Sequence, residues 1–299
     1  MCQPAVETAD DYLLQLTARY RTDRLVGVTA AEFRQRIDAF QTLRDHAMEG
    51  YSDPARQRDL SIQFHWGHDH DFGDFAVPGR MGKRHLWLLS VFIDELRALP
   101  RRLEGKRVLD VGCWTGGSSL LLAAMGAEVL AIEEVKKYVD ALTYLKEAFA
   151  IPNLEIRRLS LYEIDVPELQ DRFDYVLFAG VLYHVTDPIV ALRLIFNCLK
   201  DGGSLLLETM ASHTADPNAQ TIDYWGPTGF TTPGTVEKLN RGGWNWFVPS
   251  RQTIAQMLAD VGFTNVRTTP VIDQRAFAAA TRTAHVDMLR AGLARPNLR

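Results

Sequence analysis

From residue 105 onward, short apolar runs alternate with stretches of helical periodicity, and this alternation limits the fold more than any other feature of the chain. The runs lie at 107–111, 128–132, 154–158, 174–178, 204–208, 264–269 and 275–281, and the helical stretches at 116–125, 136–149, 188–200 and 251–261. A strand, a helix and a further strand return to one sheet in parallel, with the helix laid across a face, and strands this apolar are covered on both sides. The fold class that follows is α/β, a Rossmann-like doubly wound seven-stranded sheet. The last two runs leave no room for a crossover helix, so they are expected to pair as an antiparallel hairpin at one edge, making the last strand antiparallel.

Before a boundary near Leu103-Glu104-Gly105 the pattern is helical. Thr29 to Glu32 has the form of a capping box, and Phe33, Ile37, Phe40 and Leu43 follow at helical spacing. Residues 8–22 and 84–99 read as further helices, with a Gly-, Asp-, His- and Pro-rich loop over 50–83. The domain organisation read from this is a helical N-terminal extension with a lid loop over 1–104, then a core over 105–299. Within the core, an insertion at 209–250 is expected to cover the active site.

Composition excludes several classes. With 299 residues and 46% apolar content, a sizeable core can be filled. The 33 basic residues against 37 acidic ones leave a formal charge of −4, which is no polyelectrolyte signal for nucleic acid or an anionic membrane. Cys2, Cys113 and Cys198 are too far apart for a metal-binding pair, and their odd number argues against a disulfide framework. No run approaches the roughly 18 apolar residues of a membrane helix, and the start MCQPAVETADD is acidic where a signal peptide would be basic. A cytoplasmic protein without membrane contact is expected.

The chemistry is concentrated after the first core strand, in Val108-Leu109-Asp110-Val111-Gly112-Cys113-Trp114-Thr115-Gly116-Gly117. A glycine turn there lets a ligand approach the backbone, and the helix it opens offers free N–H groups. The next strand ends at Glu133, 21 residues beyond Gly112, the spacing at which an acid accepts hydrogen bonds from ribose hydroxyls. Loop and acid together indicate a nucleoside ligand. A nicotinamide dinucleotide needs a second glycine where Trp114 stands, so an oxidoreductase is disfavoured.

The loop instead resembles motif I of class I S-adenosylmethionine-dependent methyltransferases, with the indole of Trp114 as a departure that would wall or reshape the donor site. The run FDYVLFAGVLYHVTDP at 173–188, with GGSLLLET at 202–209, NWFVPS at 245–250 and RAFAAATR at 275–282, resembles the branch that includes the bacterial tRNA wobble-uridine carboxymethyltransferases. The resemblance implies S-adenosylmethionine as the donor. It assigns Asp110, Gly112, Trp114, Thr115 and Gly116 to the donor's methionine part, Glu133 and Glu134 to the ribose, and Leu161 and Tyr162 to the adenine. Ala179 and Gly180 would close the site, and Tyr183 would face the transferring methyl. Ser160 occupies the place where many relatives carry an acid. Tyr183, His184 and Arg275 are the candidate catalytic and acceptor-holding residues, Arg275 as a clamp for a carboxylate on donor or acceptor. An exposed edge-strand arginine is the plainer alternative for Arg275, a ring packed on the next helix for Tyr183, and a hydrogen-bonded strand-end histidine for His184.

The acceptor read from this is a small polar, carboxylate-bearing metabolite. The second reading is a tRNA wobble uridine, and a donor-binding protein without catalysis is the reading from another class. Three of the eight histidines fall between His65 and His70, but their spacing matches no helical ligand pair, so no metal is assigned. Arg80, Lys83 and Arg84 gather before a helix and need an acidic partner, either a ligand or a protein carboxylate. Tyr224, Trp225, Phe230, Trp244, Trp246 and Phe247 suit a pocket wall or a cap on the sheet. The number of chains in the assembly is left open.

Overall fold

The computed structural model describes residues 8–41, 48–50, 57–59, 64–216, 218–224 and 246–283. The elements run α1 (Ala9–Thr17), α2 (Ala30–Gln41), β1 (Met48–Gly50), β2 (Gln57–Asp59), β3 (His70–Asp71), β4 (Ala76–Val77) and α3 (Arg84–Ser90). The core follows as β5 (Arg107–Val111), α4 (Gly117–Ala124), β6 (Glu128–Glu133), α5 (Lys136–Ala148), β7 (Leu154–Arg158), β8 (Phe173–Ala179), α6 (Pro188–Cys198) and β9 (Leu199–Met210). It ends with β10 (Ile222–Tyr224), β11 (Phe247–Pro249), α7 (Arg251–Val261), β12 (Thr264–Thr268) and β13 (Arg275–Thr281).

Seven of these strands form one sheet in the order β12-β13-β9-β8-β5-β6-β7. The strands from β9 through β7 pair in parallel, and β13 runs antiparallel to both β9 and β12. This is the Rossmann-like α/β architecture that the alternation predicts, with the antiparallel hairpin β12-β13 at one edge as expected. Only β12 is an edge strand; β13 lies one strand in, paired with β9 from Arg275 opposite Met210 to Thr281 opposite Ser204. Its Ala276-Phe277-Ala278-Ala279-Ala280 core is 1–2% exposed, and small apolar residues with both faces covered belong inside a sheet.

Two apolar layers cover the sheet. Phe196 of α6 and Ile254 and Leu258 of α7 pack on one face, and α4, α5 and the N-terminal helices pack on the other. The capping box at α2 forms as expected: Glu32 N–H donates to Thr29 Oγ1 at 3.3 Å, and Thr29 N–H donates to Glu32 Oε2 at 2.9 Å. The buried stripe of α2 then meets α5, with the Phe33 ring stacked 5.7 Å from Tyr144 and edge-on to Phe149 at 5.4 Å.

The helix expected over 84–99 changes type instead of continuing. After α3, Val91–Glu95 forms a π-helical turn, whose wider geometry keeps Val91, Phe92 and Ile93 buried in succession. The helix expected over 8–22 ends at Thr17 and continues as single 3-10 turns, the Tyr20 hydroxyl donating to the Leu120 carbonyl at 2.6 Å. Within the expected insertion, β10 pairs with β11 and Tyr224 is 66% exposed. Trp225, Phe230 and Trp244 lie outside the described residues.

Candidate active site

The glycine turn is built by backbone bonds to the neighbouring strand. Gly112 and Cys113 N–H both donate to the Ile132 carbonyl, at 2.9 and 3.1 Å. Gly116, at φ 80°, caps α4 in the left-handed region, where a side chain would also strike Leu142. Trp114 holds the same region at φ 53° despite its side chain. What holds it is Glu133, whose Oε2 accepts from Trp114 N–H at 3.0 Å while Oε1 accepts from Val135 N–H at 3.0 Å. Glu133 therefore braces the turn from the end of β6. Burial pushes its carboxyl up to about 7, against the lowering effect of those two backbone bonds.

Two other loop residues face the protein interior. Asp110 is buried and accepts from Ser119 Oγ at 2.6 Å, and burial raises its carboxyl to about 6. Thr115 is fully buried, its Oγ1 accepting from Gly67 N–H at 2.9 Å. Both tie the turn to its surroundings. On the far side, Glu134 accepts from the Ser160 hydroxyl, and Ser160 caps the turn that carries buried Leu161 and half-buried Tyr162. The serine found in place of an acid thus joins the residues predicted for ribose and adenine.

The Trp114 indole packs on the histidine loop. Its ring packs against Gly67, where an added Cβ would lie 2.7 Å away, and is 6.1 Å from the rings of both His68 and Tyr138. It anchors the histidine loop to the glycine turn. That loop is held by its own ladder: Arg80 N–H donates to Trp66 O at 2.8 Å, Met81 N–H to Gly67 O at 2.9 Å, and Asp69 N–H to Gly82 O at 3.0 Å. The two limbs approach so closely that a Cβ on Gly79 would sit 2.1 Å from the His68 carbonyl carbon. Burial pushes His68, His70 and His85 down to about 3, so all three are neutral near pH 7. Among the described residues no group of three or more His, Cys, Asp or Glu could hold a metal ion.

Tyr183 is buried in the single turn after β8, its carbonyl accepting from Trp246 N–H at 2.8 Å. The His184 ring lies 4.0 Å from it and is half-buried. Arg275, at the start of β13, places its guanidinium carbon 4.9 Å from the Tyr183 ring centre. Beneath both lies Glu208 of β9, 1% exposed, with Arg84 Nη2 at 2.5 Å from its Oε1 and Arg275 Nη1 at 3.5 Å. The structure brings Tyr183, His184 and Arg275 together, and it gives the Arg84 cation a protein carboxylate as partner. Gly180, at the end of β8, faces open space, since an added Cβ would meet only Glu208 Oε2 at 4.0 Å.

The model of the family described as "Methyltransferase domain" matches residues 89–268, more than half of the chain. The chain belongs to this family. Sequence relatives of this methyltransferase include the tRNA U34 carboxymethyltransferase of Desulfotalea psychrophila, 33% identical over 165 residues, which cover 55% of this chain and 47% of the relative. The protein of the same name from Pseudomonas aeruginosa PAO1 is 33% identical over 231 residues, 72% of this chain and 67% of the relative. The chain thus spans about half the length of the first relative and two thirds of the second. Among solved structures, the N-terminal domain of EvdMO1, determined in the presence of SAH and D-fucose, aligns with a TM-score of 0.55 at 18% identity, covering 89% of this methyltransferase and all of that domain. That likeness is one of fold.

Sequence reasoning passed over two members of the site. Arg84 was visible only as one of three cations, and Glu208 only as the acid ending an apolar run, LLLET. A lone acid in a strand buried on both faces is a signal of a buried pair, although it does not name the partner.

Proposed function

We propose that this methyltransferase moves a methyl group from S-adenosylmethionine to a small polar acceptor bearing a carboxylate or comparable anion. The residues fit the donor: Glu133 offers a carboxylate at the ribose spacing, its carboxyl raised by burial, and the backbone at Gly180 leaves open space at the end of β8. When bound, the donor supplies a sulfonium methyl, an electrophile that reacts with a nucleophile approaching in line. Glu133 and Glu134 hold the ribose. Asp110 and Thr115 keep the glycine turn in shape, and Leu161 and Tyr162 flank the adenine.

The observation that carries the acceptor class is the charge balance around Glu208. One buried carboxylate faces two guanidiniums, Arg84 and Arg275, leaving one positive charge in excess. Arg275 Nη1 is buried without a hydrogen-bond partner among the described residues. An acceptor carboxylate would satisfy both, since a guanidinium grips a carboxylate in two-pronged fashion. Tyr183 confines the acceptor under the methyl, and His184 beside it takes a proton where the accepting atom must lose one. Most of the acceleration comes from orientation and exclusion of water, so no further catalytic group is required.

A second reading, carboxymethyl transfer to a tRNA wobble uridine, is favoured by the names of the sequence relatives and by the Arg275 and Tyr183 pair. In it the carboxylate would ride on the donor. The chain's charge of −4 favours the metabolite. The deciding experiment is transfer from methyl-labelled S-adenosylmethionine to fractionated acidic metabolites and to bulk tRNA. Label in a metabolite fraction supports the first reading, and label only in RNA reverses the order.

A further inference from the structure

We propose that His68, oriented by His85, receives the amino-acid end of the donor, with a neutral ring nitrogen accepting a hydrogen bond from the donor's α-ammonium group. The inference rests on S-adenosylmethionine being the donor and concerns residues of the N-terminal segment. His68 reaches the start of α4, immediately after the glycine turn, so closely that a Cβ on Gly117 would lie 2.6 Å from its Nδ1. The His85 ring is 4.7 Å from the His68 ring and is only 4% exposed. Nδ1 of each has no hydrogen-bond partner among the described residues, although both atoms are shut away from solvent. Folded proteins rarely leave such atoms unsatisfied, and a pair of them against a ligand loop points to the ligand as the missing partner.

Two further nitrogens of the same loop are unpartnered, Trp66 Nε1 and His70 Nε2, but they belong to a different environment. Trp66 packs edge-on to Phe64 at 5.2 Å, and His70 stacks on Phe72 at 5.6 Å, inside the aromatic core. His68 instead lies against the start of α4, with His85 beside it. Charge decides which end of a ligand they suit. Burial and the nearby cations hold both rings neutral, and a neutral imidazole presents a lone pair, which attracts a cation. The donor's α-ammonium is such a group, and its α-carboxylate is served by the N–H groups opening α4.

The test compares two ligands on the full chain by calorimetric titration. S-adenosylhomocysteine carries the amino-acid end, and 5′-methylthioadenosine has the same nucleoside without it. His68→Leu should weaken S-adenosylhomocysteine about tenfold and leave 5′-methylthioadenosine within about twofold, and His68→Gln, whose amide oxygen can accept, should recover part of the loss. His85→Leu, acting through His68, should show the same selectivity at smaller size. Equal weakening of both ligands would mean that His68 only packs the loop, and an unchanged S-adenosylhomocysteine affinity would also overturn the proposal. Failure of the unmodified chain to bind either ligand would instead overturn the donor reading itself, so the two failures are distinct. Circular dichroism of each variant separates loss of contact from loss of fold.

Discussion

The guanidinium of Arg275 lies over the ring of Tyr183, 4.9 Å from its centre, although β9 separates the strands that deliver them. Each restrains the other, and together with Glu208 they fix the orientation of a planar cationic face. Replacing Arg275 with lysine keeps the charge and removes the two-pronged geometry. Arg275→Lys should raise the acceptor's Michaelis constant about tenfold, with S-adenosylhomocysteine affinity unchanged. Steady-state kinetics beside a binding titration check this, and unaltered acceptor kinetics would remove Arg275 from the site.

Glu133 should control donor affinity. The charge-assisted bonds proposed between Glu133 and the ribose predict that Glu133→Ala costs about 1.5–3 kcal/mol of donor binding. Because burial raises its carboxyl to about 7, part of the population is protonated at neutral pH and lacks one acceptor oxygen. S-adenosylhomocysteine should therefore bind more tightly as pH rises from about 6 to about 8, with proton release on binding below pH 7. Glu133→Gln should flatten that profile. Titrations in buffers of different ionisation enthalpy read both effects.

Acid should weaken the fold earlier than carboxylate protonation alone would. His68, His70 and His85 are held near 3 in the folded chain against an ordinary value of 6.5. As pH falls through 6.5 the unfolded chain binds protons that the folded chain refuses, so stability is lost from there downward, by up to about 1.4 kcal/mol per pH unit for each histidine. Asp110 and Glu133 act in the opposite sense between their ordinary values and about 6 and 7, since the folded chain keeps their protons longer. Three histidines against two acids leave a net loss. Urea midpoints measured from pH 7.5 to 4.5 should fall, and His70→Phe, which keeps the stacking on Phe72, should make the fall shallower.

Arg282 should be a large single contributor to stability. It is 2% exposed, and its Nη1 donates to the carbonyls of Phe196 and Asn197 at 3.1 Å each and to that of Leu199, while pairing with Asp171 at 2.5 Å. These carbonyls close the C-terminal end of α6 together with backbone donors, the Leu199 N–H to Phe196 O and the Asp171 N–H to Asn197 O. Arg282→Met should destabilise the protein by about 1.5–3 kcal/mol in urea denaturation, because the carbonyls at the end of α6 lose a charge-assisted bond while the partly exposed Asp171 regains water. Donor affinity of the remaining folded fraction should not change.

What was legible in the chain was what local pattern controls. Buried strands such as 107–111 and 204–208 announce themselves by composition, the α2 cap needs only Thr29 and Glu32, and Glu133 follows Gly112 at a spacing set by one crossover helix. The meeting of Arg84 with Glu208 spans 124 positions, and that of Gly67 with Thr115 spans 48, so neither leaves a periodic trace. Trp114 stands in the glycine turn by sequence, but which way its indole packs depends on Gly67 arriving from outside the core. The edge hairpin of β12 and β13 is legible because no crossover helix fits between them, but adjacency in sequence does not say which of the two strands pairs with β9.

The insertion of β13 between β9 and β12 also sets an order of events during translation. Strands β5 to β9 are all on hand once residue 210 has left the ribosome, so the half of the sheet carrying the glycine turn and Glu133 is able to assemble first. Until residues 275–281 follow, β9 is a bare margin bearing Leu205, Leu206 and Leu207, all fully buried in the finished protein. An unpaired apolar strand is a template for another nascent chain. The interval between those two points in synthesis leaves β9 open to pairing with a second chain.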